Sequence, residues 1–172
     1  DIKINTVLLK DFNENEILKM VKWCAHNNFK QTFIEVMPIG KVDLQRTNQF
    51  LPVSSAKEKI KKAFGLDPIF FKTNGPSRYY QTKKLNNTIG FISPLTNNFC
   101  STCNRIRVTS NGILYPCLGD NGSTNLIDML KFDDNKLSQK IRRIIFNKPE
   151  KHFFTADDKT YINNRYMNTT GG

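Results

Sequence analysis

Three cysteines lie close together in the sequence and have the spacing of a metal or cluster site. Cys100 and Cys103 form a Cys-x2-Cys pair, and Cys117 follows after thirteen further residues. The dipeptide Asn111-Gly112 between them predicts a tight hairpin turn, which would pair residue 117 with about residue 106 and bring three thiolates together. Structural zinc usually has four protein ligands, whereas a cluster held by three cysteines leaves one iron open. The spacing therefore favours an iron–sulfur cluster with one open iron.

A zinc ribbon is the alternative interpretation of these cysteines. It needs a fourth ligand, for which the candidates Cys24, His26 and His152 are all distant in sequence. Cys24 also lies on the apolar face of a predicted helix, where a small buried residue is the usual explanation. Three unliganded thiols are a further alternative. A zinc ribbon would be a nucleic-acid-binding module without enzymatic activity, a function that aromatic side chains such as Tyr79 and Tyr80 would suit.

Two arginines lie directly beside the cysteines. Arg105 and Arg107 are separated by one residue at the start of the predicted hairpin, so that they would project from the same face of a strand. Guanidinium groups present planar donor forks that suit a phosphate or a purine edge. The alternative is a solvated basic strand face. Next to a cluster with an open iron, the pair favours a site for an anionic ligand.

The composition supports an anionic partner and a globular fold. The chain has 172 residues and a net charge of +11, from 26 Lys and Arg against 15 Asp and Glu. No apolar run approaches the roughly 20 residues needed to cross a bilayer, and no signal peptide is recognisable, which predicts a cytoplasmic protein without a membrane partner. Because the chain starts at Asp1 and enters a strand pattern at once, we expect it to be a piece of a longer protein.

The first part of the chain has the pattern of a β-α-β unit. Aliphatic and β-branched residues predict a strand over 4–9, and Asn13 with Glu16 resembles a capping box that starts a helix. A second strand is predicted over 32–37. Strand–helix–strand order requires a parallel pair, as in a doubly wound sheet or a (β/α) barrel, whose ligands bind beyond the carboxyl ends of the strands. Met37 lies at such an end.

The rest of the chain changes from helical to strand periodicity. Ser55 with Glu58 resembles a second capping box, and the helix that follows should end at Phe64, before Gly65. The same signals predict later elements, namely strands at 78–80 and 88–92, a hairpin at 106–117 and a helix from about Ser138 to Phe146.

Several segments together resemble the molybdenum cofactor biosynthesis protein A family, the GTP 3′,8-cyclases. They occur in the family's order and are Lys3–Leu8, Phe33–Met37, Ile89–Pro94, Asn98–Arg107, Asn111-Gly112, Tyr115–Leu118 and Met167–Gly172. The resemblance covers essentially the whole chain and places it as the C-terminal half of such an enzyme. It implies an α/β fold, in which residues 1–65 form the last β-α-β part of an incomplete radical S-adenosylmethionine barrel. Residues 66–172 would form an α+β cluster-binding and GTP-binding domain with a β-hairpin.

The resemblance also implies a chemistry. Members of the family use two 4Fe-4S clusters: one cleaves S-adenosylmethionine to a radical, and the other holds GTP, which becomes 3′,8-cyclo-7,8-dihydro-GTP. The product goes on to a pyranopterin-forming enzyme, and a homodimer is implied as a possibility. The implied site residues are Cys100, Cys103 and Cys117 for the second cluster, Lys3, Arg105, Ile106 and Arg107 for GTP, Met37 for S-adenosylmethionine, and Gly171 and Gly172 as a tail that reaches the active site.

The sequence departs from the family pattern in two ways. It contains no Cys-x3-Cys-x2-Cys motif, so that the chain alone is expected to bind iron and GTP without cleaving S-adenosylmethionine. Thr32 stands where the family commonly has a substrate-binding arginine, which predicts weaker triphosphate binding unless Lys30 compensates. A remnant that keeps the fold but no partner is a third possibility beside the cyclase and the zinc ribbon.

Overall fold

The structure is a computed structural model that describes residues 1–40, 48–71, 73–152 and 165–170. These residues have an α/β fold with three α-helices and two β-sheets. They form two compact units: one consists of the described residues of Asp1–Met37 and Leu44–Phe99, the other of those of Pro38–Asp43 and Cys100–Gly172. The α/β fold class predicted from the sequence is confirmed.

The first unit is built on a five-stranded sheet with the order β1-β2-β5-β4-β3. Its strands are β1 (Lys3–Leu8), β2 (Lys30–Glu35), β3 (Asp67–Pro68), β4 (Arg78–Gln81) and β5 (Thr88–Ile92). β1, β2 and β5 are parallel, whereas β4 is antiparallel to both β5 and β3. Helix α1 (Ile17–His26) connects β1 to β2, and helix α2 (Val53–Phe64) follows β2. The parallel β-α-β unit is therefore confirmed.

The two helices cover one face of this sheet. Apolar side chains recur at helical spacing on both helices and are buried together with those of the inner strands. The buried cluster consists of Leu8, Ile17, Val21, Phe33, Leu51, Val53, Ala56, Ile60, Phe64, Leu66, Ile89 and Phe91. On the outer side of α1, half-exposed Trp23 makes an edge-on contact with Phe29, with ring centroids 5.3 Å apart.

Neither predicted capping box is present. Asn13 binds the end of β1 instead, because its Oδ1 accepts from the Leu9 amide at 2.9 Å and its Nδ2 donates to the Val7 carbonyl at 2.8 Å. Helix α1 then begins without a side-chain cap. Ser55 lies inside α2, which begins at Val53 after an extended proline. The predicted end of α2 is confirmed.

Alternation along the strands gives the sheet a second, polar face. Phe33 and Phe91 belong to the buried cluster, so their neighbours Thr32 and Gly90 face the opposite side. Thr32 pairs with Gly90, and Gly90 pairs with Tyr79 on β4. This row of residues, with Lys3 and Asn5 on β1, forms a surface that we call the polar sheet face.

The second unit has a three-stranded antiparallel sheet of β6 (Arg107–Val108), β7 (Ile113–Tyr115) and β8 (Thr124–Asn125). Helix α3 (Asp134–Phe146) begins one turn earlier than predicted, because Asp133 caps it by accepting from the Lys136 amide at 2.9 Å. The hairpin at Asn111-Gly112 is confirmed.

The predicted register of that hairpin is wrong by one residue. Arg107 pairs with Tyr115, so the same register would place residue 117 opposite 105 rather than 106. The turn has three residues, 110–112, because the Thr109 amide donates to the Ile113 carbonyl at 2.9 Å and the Thr109 hydroxyl accepts from the Ile113 amide at 2.9 Å. Gly112 completes the turn in a left-handed conformation with φ of +74°.

The division of the chain near residue 65 remains a prediction about domains. In the structure, β3, β4 and β5 belong to the same sheet as β1 and β2, and the compact units divide at Phe99 and Cys100. The sequence signal after Phe64 marks the end of a helix, since Gly65 has φ of +68°. Such a signal locates the end of an element and carries no information about which sheet the following strands join.

Candidate functional site

The Cys-x2-Cys pair forms a single tight turn. Residues Cys100–Thr102 are a 3₁₀ helix, and the Cys103 amide donates to the Cys100 carbonyl at 3.1 Å. Cys100, Cys103 and Cys117 are all half-buried and all free thiols. The local fold therefore keeps the first two cysteines within one turn, in a form that can bind a metal ion or cluster.

Cys103 is surrounded by hydrogen-bond donors. The Lys148 ammonium donates to the Cys103 carbonyl at 2.9 Å, to the Arg105 carbonyl at 2.7 Å, and lies 3.4 Å from the Cys103 Sγ. Burial alone would raise the pKa of the Cys103 thiol, but hydrogen bonds from Arg105 and the positive charges of Arg105 and Lys148 outweigh it and lower the pKa. The thiolate, which is the form that binds metals, is thereby favoured.

Arg107 links Cys103 to Cys117 electrostatically. Burial and the charge of Arg105 lower the pKa of the Arg107 guanidinium, while Cys103 and Cys117 act in the opposite direction. Both thiols are therefore within electrostatic reach of one guanidinium. Arg105 lies outside β6, so the expectation that both arginines share one strand face stays a prediction.

Arg165 holds the segment that follows Cys117. Its Nη2 donates to the carbonyls of Leu118, at 3.0 Å, and of Asp120. Its guanidinium carbon also lies 3.8 Å from the centroid of the Tyr115 ring, the residue paired with Arg107. Neither Arg165 nor Lys148 was predictable from the sequence as a site residue, because neither belongs to a motif and both are far in sequence from their contacts.

The described part of the chain contains no group of three His, Cys, Asp or Glu side chains arranged to hold a metal ion. The convergence of all three thiolates therefore remains a prediction. The donor set itself suits an iron–sulfur cluster, because free thiols are the ligands such clusters take and two of them share a cationic environment. Cys24 is an inert thiol by comparison, since it is fully buried in α1 and burial raises its pKa.

The polar sheet face contains the predicted phosphate-binding lysine. Lys3 Nζ donates to the Tyr79 hydroxyl at 3.1 Å, and that hydroxyl is 3.3 Å from Thr73 Oγ1. Burial would raise the pKa of Tyr79, but hydrogen bonds with Thr73, Lys3 and Ser77 and the charge of Lys3 lower it. Lys3 is exposed and pairs in register with Lys30 on β2.

Thr32 lies on the same face and is fully buried. A Cβ on Gly90 would overlap Ser77 Oγ and would lie 2.8 Å from Thr32 Oγ1, so the glycine allows both hydroxyls to approach the backbone. Lys30 forms an ion pair of 2.8 Å with Asp1. Whether Lys30 takes over the role of the family's arginine stays a prediction.

The remaining predicted site residues have simpler positions. Met37 is half-buried, two residues beyond the carboxyl end of β2, and Ile106 is exposed between the two arginines. Gly171 and Gly172 lie outside the described residues.

Glu35 is a buried polar residue that the sequence analysis did not identify. Its carboxylate is 1% exposed and accepts from the amides of Val53, Leu95 and Thr96 at 3.2, 3.0 and 3.1 Å, and from the Thr96 hydroxyl. It thus joins β2 to the start of α2 and to the segment that leads to Cys100. The available signal was a single carboxylate within the otherwise apolar segment 33–37.

The described residues thus define an α/β protein with a partly parallel sheet in one unit and, in the other, a hairpin with free cysteines and basic side chains close to it in sequence. Comparison with family models matches residues 29–154 to the family described as Molybdenum Cofactor Synthesis C. The chain belongs to this family.

Curated relatives agree with this assignment. The proteins named GTP 3′,8-cyclase from Brucella ovis, Brucella canis and Brucella abortus are each 40% identical to the chain over 175 residues. The match includes 99% of this chain and 51% of each relative, so the chain spans about half the length of these relatives. The resemblance to the GTP 3′,8-cyclases is confirmed. No described helix is long and apolar enough to cross a membrane.

Proposed function

We propose that the chain is the substrate-binding part of a GTP 3′,8-cyclase, a cytoplasmic radical S-adenosylmethionine lyase of molybdenum cofactor biosynthesis. The observation that carries the proposal is the turn that holds the free thiols Cys100 and Cys103 together, with the Lys148 ammonium 3.4 Å from the Cys103 Sγ. It occurs in a chain that is 40% identical to proteins named GTP 3′,8-cyclase. The enzyme would convert GTP to 3′,8-cyclo-7,8-dihydro-GTP, which a pyranopterin-forming enzyme would use.

In this proposal Cys100, Cys103 and Cys117 hold a 4Fe-4S cluster. That cluster supplies an open iron as a Lewis-acidic binding position for the guanine base. Arg105 and Arg107 offer donor forks to the base edge or the phosphates, and exposed Ile106 packs beside the ligand.

The first unit contributes charge in this proposal. Lys3, held by the Tyr79 hydroxyl, presents an ammonium group to a phosphate. Met37 contacts S-adenosylmethionine, and the Gly171-Gly172 tail enters the active site, where a residue without a side chain needs little room. Thr32 has no charge and offers one hydroxyl in place of an arginine's donor fork, which predicts weaker triphosphate binding unless Lys30 compensates. The radical-generating cluster, on a Cys-x3-Cys-x2-Cys loop that this sequence lacks, would come from an N-terminal radical S-adenosylmethionine half.

The proposal is tested by anaerobic reconstitution of the chain with iron and sulfide, followed by metal analysis and titration with GTP and ATP. We expect iron and sulfide to be retained with the broad visible absorption of a cluster, and GTP to bind more tightly than ATP. Cys117→Ala should lose the iron, whereas the matched variant Cys24→Ala, which removes a buried thiol from α1, should keep it. Stoichiometric zinc, together with binding of RNA or DNA in place of GTP, would contradict the cyclase function and support the zinc ribbon.

A further inference from the structure

Lys148 makes an unusual set of contacts with the cysteine loop, residues 100–107. An ammonium group has three N–H donors, and the three contacts of Lys148 Nζ are to the Cys103 carbonyl at 2.9 Å, the Arg105 carbonyl at 2.7 Å and the Cys103 Sγ at 3.4 Å. The full donor capacity of the ammonium group is thus used on one short segment, 45 residues away in sequence.

The backbone of Lys148 is fixed by the end of α3. The Lys148 amide donates to the Ile145 carbonyl at 3.2 Å, and the preceding Asn147 amide donates to the Arg143 carbonyl at 3.0 Å. A lysine at this position commonly interacts with the last carbonyls of its own helix. Lys148 Nζ instead binds the carbonyls of Cys103 and Arg105, so its role is to connect α3 to the cysteine loop.

The contacts of Lys148 would serve a cysteine that binds a cluster in two ways, by fixing its backbone and by donating a hydrogen bond to its sulfur. Two carbonyl bonds fix the backbone on both sides of Asn104, which determines where the Cys103 Sγ lies. The third contact is an N–H···S hydrogen bond, and hydrogen bonds to ligand sulfur are among the factors that set the reduction potential of iron–sulfur clusters. A lysine suits this role because its compact ammonium group has three rotatable donors.

We propose that Lys148 is a positioning residue of the cluster site, which fixes the Cys103 loop through two carbonyls and donates a hydrogen bond to the Cys103 sulfur when the cluster is bound. The part of this proposal that concerns the cluster rests on the proposed function. The part that concerns the loop does not, because it rests only on the hydrogen bonds of Lys148 to the carbonyls of Cys103 and Arg105.

The test compares three variants of the whole chain. Lys148→Met removes the charge and all donors with a side chain of similar length, and Lys148→Arg keeps both. Lys151→Met is the matched control, an exposed lysine three residues further along. In the iron-free chain, Lys148→Met should show faster amide hydrogen exchange over 103–107 than the unmodified chain. Lys148→Arg should restore part of the protection, and Lys151→Met should change nothing.

Reconstituted protein tests the hydrogen bond to sulfur. Lys148→Met should lower the midpoint potential of the cluster and release iron to a chelator about tenfold faster, the effect of one lost hydrogen bond to a charged sulfur. Unchanged exchange over 103–107 in Lys148→Met would overturn the positioning role, and an unchanged potential with altered exchange would overturn the hydrogen bond to the cluster. If the unmodified chain takes zinc instead of iron, the proposed function fails, while the exchange data still decide the positioning role.

Discussion

Tyr79 and Tyr80 are adjacent residues whose hydroxyls bind lysines on opposite faces of the same sheet. Tyr79 accepts from Lys3 on the polar sheet face at 3.1 Å, and Tyr80 accepts from Lys57 of α2 at 2.6 Å. Removing each hydroxyl separately therefore distinguishes a role in ligand binding from a general role in the fold.

We expect Tyr79→Phe to weaken GTP binding roughly fivefold, because Lys3 loses the hydrogen bond that orients its ammonium group. Calorimetric titration of the reconstituted chain measures this change. Tyr80→Phe is the matched control and should bind GTP as the unmodified chain does. Equal losses of affinity in both variants would show that the hydroxyls act through the fold, and would argue against Lys3 as a phosphate ligand.

Gly90 lies on the polar sheet face, where neighbouring side chains leave no room for a Cβ atom. We expect Gly90→Ala to lower the free energy of unfolding by about 2 kcal/mol, since the new methyl group would meet Ser77 Oγ and Thr32 Oγ1. Urea denaturation measures the change. Gly75→Ala is the control, because its Cβ would meet only Thr73 Oγ1, at an ordinary 3.5 Å. Adding Ser77→Ala to Gly90→Ala should recover part of the loss; no recovery would mean that Ser77 is not the obstacle.

At the scale of secondary-structure elements, Glu35 connects β2 to α2 and to the loop that follows β5. The carboxylate ends β2 and receives hydrogen bonds from the start of α2 and from residues 95 and 96 after β5. All these partners are donors. The residue thus holds the segment that follows β5 against the end of β2 and the start of α2.

We expect Glu35→Gln to destabilise the chain by about 3 kcal/mol, because the amide would place an N–H group against backbone donors in a buried position. Thermal or urea unfolding measures this loss, and hydrogen exchange over 95–100 should become faster. Glu58→Gln, at an exposed position of α2, is the matched control and should change stability by less than about 0.5 kcal/mol. A loss of similar size in both variants would contradict the connecting role of Glu35.

Elements whose signal is local were predictable from the sequence. The apolar spacing of Ile17 and Val21 suffices to predict α1, and the β-branched segments on either side predict its parallel strands. The predicted cap of α1 was wrong because the Asn13 side chain forms hydrogen bonds with the backbone at the end of β1 instead. These backbone groups come within reach only after the chain has turned. The hairpin register was wrong because the Thr109 side chain closes a longer turn than Asn-Gly alone predicts.

The candidate site likewise contains residues that the sequence predicts and residues that only the structure identifies. Only two residues separate Cys100 from Cys103, so their spacing alone predicts that they bind one ligand together. Lys148 and Arg165 reach the cysteine loop and the segment after Cys117 from more than 40 residues away. A local sequence pattern does not predict contacts between residues so far apart in sequence. Only the structure therefore identifies Lys148 and Arg165.

At the scale of the whole molecule, two features of the sequence predict how the chain treats two ligands. The net charge of +11 predicts that it binds GTP, and the absence of a Cys-x3-Cys-x2-Cys motif predicts that it does not cleave S-adenosylmethionine. The chain should bind GTP with an affinity that falls as salt rises, because screening weakens attraction between the basic surface and the triphosphate. It should form no 5′-deoxyadenosine from S-adenosylmethionine under reducing conditions. Chromatographic detection of 5′-deoxyadenosine from this chain alone, with the buffer as blank, would refute the second expectation.

Trp23, the only tryptophan of the chain, lies on α1 against Phe29 in the first unit. Its fluorescence is therefore an intrinsic probe of the unit that contains the five-stranded sheet. The visible absorption of a bound cluster would be an equally selective probe of the other unit. Recording both signals during one denaturant titration would show whether the two units melt as one cooperative block or independently, without any added label.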